Sequence, residues 1–182
     1  MLHDRNVHRS LYQYARGVFQ NPTVFSGTFT VYDESDLRAV SDGTLVPVRP
    51  CVFVVDSYIR PVPAALPMVV VEIEQAVGRS RQLGDRRGDT YECLYHVLGR
   101  FQGERDDLAG VLKMALRGQI GPHNLLPIYD YSGSSPVLLE NALIEDEVRV
   151  ESLGIETSED MQHETSLDYW HMVRFMVQTK KA

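Results

Sequence analysis

Three groups of side chains in this sequence are spaced as reactive or ligand-binding groups are. Glu104, Asp106 and Asp107, in "FQGERDDLAGVLKMALRG", put three carboxylates within four residues, the donor chemistry of a divalent cation or of an acid/base pair. Asp56 closes one β-branched run, and Glu72 and Glu74 stand two apart in the next, on one face of a strand. A carboxylate at a strand end with two more on its neighbour can hold Mg²⁺ for phosphodiester cleavage. Cys93 and His96 pair a thiol with a possible base.

Each group also has a structural reading. Leu108, Val111, Leu112, Ala115 and Leu116 form a helical stripe beginning just after the first three acids. Acids in a first turn interact favourably with the helix dipole, by about 0.3 to 1 kcal/mol each. Gly103 is placed as N-cap, Lys113 and Arg117 lie toward the C-terminal end, and Gly118 suits the position just past it. We therefore expect a helix start there, not a metal site. The set Asp56, Glu72 and Glu74 resembles the Asp…Glu-x-Lys pattern of restriction-type nucleases, but Glu74 stands where that family has its lysine. No lysine is near to steady the attacking water. Three residues apart in a strand, Cys93 and His96 fall on opposite faces and cannot form a dyad.

Other motifs are missing. His3 and His8 are five apart, which misses the spacing of two ligands on one helix face, and neither a Walker-type glycine loop, GxSxG nor HExxH occurs. The one dense basic patch is "GRSRQLGDRRGD", with Arg79, Arg81, Arg86 and Arg87 around a Gly-rich hairpin. It reads either as a solvated turn or as an arm that docks on an acidic neighbour, because the planar arginine fork suits carboxylates at interfaces.

The elements that must carry these residues follow from length and pattern. At 182 residues, 43% apolar and 24% charged, with no linker or low-complexity tract, the chain is expected to form one domain over residues 1–182. The formal charge is −7, and only Lys113, Lys180 and Lys181 of the 18 basic residues are lysines, which argues against generic gripping of nucleic-acid phosphates. Two cysteines, Cys51 and Cys93, give no disulfide framework and fit a reducing compartment, each buried in a strand. The start "MLHDRNVHRS" is too polar for a signal peptide, and no apolar run approaches a membrane span, so a soluble, cytoplasmic product is expected.

Val7, Leu11, Tyr14, Ala15 and Val18 mark a helix over 5–19, ended by Asn21 and Pro22. Alternation at Phe25, Gly27, Phe29 and Val31 predicts a strand in "VFSGTFTVYDE", and Ser41–Gly43 a turn. "CVFVVDSYI" and "MVVVEIEQAV" follow as strands. Gly84 and Gly88 mark a hairpin tip before a strand that carries Tyr91, Cys93, Tyr95 and Val97 on one face. After the helix over 104–117 comes "GQIGPHNLLPIYDYSGSSP", read as irregular, then "VRVESLGI" and "DYWHMVRFMVQT" as late strands. The order, roughly helix, five strands, helix, two strands, predicts an α+β fold: an antiparallel (mixed) sheet with the N-terminal and central helices packed on it.

The succession "LPMVVVEIEQ", "QLGDRRGDTYECLYHVLGRFQGERDDLAGVLKMALRG" and "LPIYDY" (Leu126 to Tyr131) resembles the neck and tail-terminator proteins of tailed bacteriophages, mainly across residues 66–131. That resemblance implies a non-enzymatic virion protein without metal or cofactor, assembled in the host cytoplasm. It would form a homo-oligomeric ring, six-fold in most of the family, at the head-tail junction. Its partners would be the tail tube protein and a connector or stopper protein, with DNA passing through unbound and no membrane involved. Phe25 to Val62 is longer than in the smaller terminators, which leaves a connector-side stopper role open. Within such a ring the arginine hairpin would meet Glu145, Asp146 and Glu147 of the next copy. A metal-dependent nuclease using Asp56, Glu72 and Glu74 stands as the alternative from another class.

Overall fold

In the computed structural model the repeat Val7, Leu11, Ala15 and Phe19 becomes the fully buried stripe of α1 (Leu2–Gln20). The structure describes residues 2–25, 29–56, 63–77, 87–120, 124–145, 147–152 and 170–180. After α1 come β1 (Thr30–Tyr32), α2 (Glu34–Ser41), β2 (Cys51–Val55), a 3₁₀ turn (Pro63–Ala65), β3 (Met68–Val77) and β4 (Arg87–Leu98). The chain continues through α3 (Gln102–Leu116), β5 (Leu125–Asp130), β6 (Val137–Ile144), β7 (Arg149–Ser152) and β8 (Trp170–Lys180). The fold is α+β, with a strongly curled, mixed sheet in the order β1-β2-β3-β4-β8-β6-β5 and β7 beside β8. Among the described residues no helix is long and apolar enough to cross a membrane.

The sheet is parallel on one side and antiparallel on the other. β1 and β3 both run parallel to β2, whereas β3, β4 and β8 pair antiparallel, as the hairpin pattern predicts for the first two. Alternation along β3 and β4 divides the core. Val69, Val71, Tyr91, Cys93, Tyr95 and Val97 face α1 and α3, while Met68, Val70 and Leu98 face α2 and the 3₁₀ turn. α1 lies in the trough of the curl and meets strands from both of its sides. Its buried polar residues there serve backbone groups: Tyr129 N–H donates to Ser10 Oγ (3.0 Å) and Tyr131 N–H to Asn6 Oδ1 (3.4 Å). Tyr95 O–H donates to the Leu11 carbonyl at 2.9 Å. Buried backbone N–H groups at a sheet edge need acceptors, and α1 supplies them.

Several expectations are corrected. Of the strand expected in "VFSGTFTVYDE", the described residues hold only β1, and the last residues of the stretch begin α2 instead. Asp33 is the N-cap: its carboxylate accepts from the Ser35 and Asp36 N–H groups (2.9 and 3.3 Å), and Asp36 accepts in return from the Asp33 N–H (2.9 Å). That reciprocal box offsets the weakness of an eight-residue helix, which buries Leu37 and Val40. The segment read as irregular holds β5 and most of the β5–β6 hairpin, so among the described residues four strands follow α3 where two were expected. Gly103 is not the N-cap of α3; Phe101 is, and Gly103 lies in the first turn. The C-terminus is as expected. Gly118, at φ +68°, donates to the Ala115 carbonyl while Gln119 N–H reaches Met114, both at 2.9 Å.

Candidate functional site

Past Val55 β2 ends while β3 runs on, so from Val71 onward that side of β3 has no strand partner among the described residues. The first turns of α1 lie across the gap, with the His8 ring donating from Nε2 to the Val71 carbonyl at 3.1 Å. Between them is an open cleft of about 430 Å³ whose polar lining is Asp4, Arg5, His8, Asp56 and Glu72. Two of the three carboxylates singled out in the sequence, Asp56 and Glu72, therefore do come together.

The third does not join them. Glu74 is not among the residues lining the cleft; it accepts from Arg174 Nη1 at 2.8 Å. Glu72 is itself engaged, 2.6 Å from Nε2 of the buried His96, and Asp4 accepts from the Tyr91 hydroxyl at 3.1 Å. Among the described residues no group of three or more His, Cys, Asp or Glu is placed to hold a metal ion. The arrangement is a cleft lined by Asp4, Asp56 and Glu72, of which Asp4 and Glu72 already have partners. Arg174 gathers three acids: it bonds Glu92 as well as Glu74, and its Nε lies 3.8 Å from Glu151. The Glu92 hydrogen bond, opposed by desolvation, raises the Arg174 guanidinium above its ordinary range.

The acids of α3 divide by role. Glu104 is in the first turn, where its carboxylate accepts from the Arg100 N–H at 2.9 Å and pairs with that guanidinium. Asp106, two residues on, points to β8: His171 Nε2 donates to its Oδ1 at 2.6 Å, and Arg105 Nε does so at 3.1 Å. Desolvation pushes the Asp106 carboxyl up, yet these two hydrogen bonds prevail and hold it below its usual value. His171 and Arg105 are both buried, so Asp106 joins α3 to the sheet. The sequence gives no sign of this contact, because the partners are 65 residues apart. It is an Asp–His pair without access for a substrate, since His171 Nδ1 is buried.

Cys93 and His96 fall on opposite faces of β4, as strand parity requires: Cys93 is in the α1 cluster, His96 at Glu72. Burial raises the Cys93 thiol far above its ordinary range, which makes it inert. Cys51 is likewise buried, and both are free. Arg79, Arg81 and Arg86, with Gly84, lie outside the described residues; Arg87 opens β4 opposite Lys180. Of the acids expected to meet them in a neighbour, Asp146 lies outside the described residues, and Glu147 accepts from Arg149 Nε of its own chain at 2.9 Å.

The sequence reading also misses an exposed apolar arm. β6 pairs with β5 along its length but meets β8 only at Leu143 and Ile144. Val137, Leu138, Leu139 and Leu143 are open to solvent on it. Three consecutive apolar residues, VLL, at the start of a strand are the signal that could have located it. Neither protein-family models nor curated proteins match this chain.

Proposed function

We propose that this chain is a structural subunit of a tailed-bacteriophage neck, a tail terminator that forms a ring, six-fold as in most of its counterparts, at the head-tail junction. It would cap the tail tube below and meet a connector or stopper protein above, in the virion, while DNA passes through the ring unbound. The observation that carries this reading is the β5–β6 arm. A strand edge that displays Val137, Leu138 and Leu139 to water belongs on a chain that meets other chains, because an unpaired apolar edge left open is an aggregation hazard. The order β3, hairpin, β4, α3 and closing β5 agrees with the terminator resemblance, and the acidic charge suits an unretentive channel. A connector-side stopper is the variant of the same reading.

Electron microscopy of the protein mixed with its cognate tail tubes and connectors tests it. Rings on one end of the tubes are expected for a terminator and rings on connectors for a stopper; copies that ignore both would remove the proposal. One observation favours a second class of function, since Asp56 and Glu72 share the cleft against α1. A nuclease there would cut DNA with Mg²⁺ or Mn²⁺ and lose cutting in Asp56→Ala. The neck subunit leaves DNA intact in both forms.

A further inference from the structure

Among the described residues the large apolar side chains open to solvent gather at two places, Met114 on α3 excepted. One is the β5–β6 arm, with Val137 62% and Leu139 50% exposed. The other is the segment leading into β2, where Val46 is 83% and Val48 64% exposed, together with Phe101 at 54%. Strand register places them at opposite ends of the sheet. Phe53, Met68, Leu98 and Trp170 share one level; Tyr32, paired with Phe53, accepts from the Val48 N–H there, and Phe101 follows Leu98 out of β4. Val77, Thr90, Gln178 and Leu143 share the other level, and the arm continues beyond that. The eight-residue offset from Trp170 to Gln178 separates the two levels by roughly 27 Å at about 3.4 Å per residue.

We infer that the β5–β6 arm of one copy of this chain seats on the Val46–Val48 and Phe101 end of a second copy. Charge selects the occupant. Each copy carries −7, so two copies repel over most of their surfaces and can close only where charge is sparse. Both ends meet that condition. Glu140 is the only charged residue in Val137–Leu143, and Thr44–Val48 has none before Arg49.

Backbone geometry fits as well. From Val137 to Asn141 the side of β6 away from β5 has no strand partner among the described residues, and such an edge accepts an extended segment. Val46–Val48 is held ready for that role. Val48 N–H donates to the Tyr32 hydroxyl at 2.9 Å, and the Arg49 guanidinium holds the Ala64 carbonyl at 3.2 Å and that of Leu66. A pre-ordered segment loses little freedom on binding. Because the two ends differ and lie apart, the contact is head-to-tail, which closes into a ring or extends as a filament. The closure into a ring rests on the neck reading; the contact itself does not.

Sedimentation of the full chain from micromolar to hundred-micromolar concentration tests the contact. The wild-type chain is expected to associate with increasing concentration. Leu139→Asp and Val48→Asp, both at exposed sites and checked for unchanged circular dichroism, are each expected to weaken association by about tenfold or more. Mixing the two variants is then decisive, because one retains a sound arm and the other a sound receiving end: they should form a one-to-one dimer that grows no further. A wild-type chain that stays monomeric, a Val48→Asp variant that associates as well as wild type, or a mixture without heterodimer would overturn the inference. Association without capping of tail tubes would remove the neck reading and leave the contact standing. Capping by a chain whose ends do not pair would do the reverse.

Discussion

At the scale of single residues, Asp106 and Asp107 are adjacent acids with different tasks, and the contrast is measurable. Asp106 accepts from His171 and Arg105, whereas Asp107 is exposed on the outer side of α3. Asp106→Ala removes the acceptor of two buried donors and should cost about 1 kcal/mol, the value for a charged hydrogen bond discounted because the carboxylate is half open to water. Asp107→Ala should stay within about 0.5 kcal/mol. Urea midpoints at neutral pH check both. The folded Asp106 carboxyl lies below its ordinary value, so its contribution is present above the unfolded value of about 3.9 and is lost as pH falls through the folded one. The gap between wild type and Asp106→Ala should therefore close in acid; a gap that widened would contradict this account. Parity within one strand made the separation of Cys93 from His96 legible in the sequence. The Asp106–His171 contact depends on how α3 is laid across β8, and no local pattern encodes that.

Elements were legible in proportion to how regularly they bury one face. α1, α3, β3 and β4 repeat an apolar residue at the helical or strand period, and each was found near its expected bounds. β5 and β6 signal themselves weakly: β5 buries only Leu126 and Ile128, with Pro127 between them, and β6 exposes Val137 to Leu139 and buries only Ala142 and Ile144 near its end. α2 is short and stands where a strand pattern still runs, and its box uses Asp36 where Glu or Gln is usual. Because so little of α2 is held by its own length, its cap should matter. Asp33→Ala is expected to cost about 1 kcal/mol, with a range of about 0.5 to 2, read as a lower melting temperature. Asp33 is held below its ordinary value, first by the Ser35 hydroxyl and against desolvation, so this loss too should fade in acid. Ser10→Ala tests the other device of the fold, the helix that serves a strand edge. It strands the Tyr129 N–H and should cost about 1 to 3 kcal/mol, whereas Ser10→Thr, which keeps the hydroxyl, should recover part of it.

Across the whole molecule, one sheet carries two cores. Because successive residues of β3 and β4 face opposite sides, neither the cluster under α1 nor the one under α2 can come apart without disordering strands that the other needs. The parallel joining of β1, β2 and β3 that brings this about is set by where two connections cross the sheet, which is a tertiary fact that strand patterns do not reveal. The consequence is one cooperative unfolding transition, and the single Trp170 is a natural probe because it packs against the α2 cluster. Leu11→Ala empties a fully buried site on the other side of the sheet and should cost about 2 to 5 kcal/mol. Leu37→Ala, on the Trp170 side, should cost a similar amount. In both variants Trp170 fluorescence and far-ultraviolet circular dichroism are expected to shift together to the same lower urea midpoint. If Leu11→Ala moved the dichroism but left the fluorescence midpoint in place, the two cores would be independent, and the sheet would not be the common element argued for here.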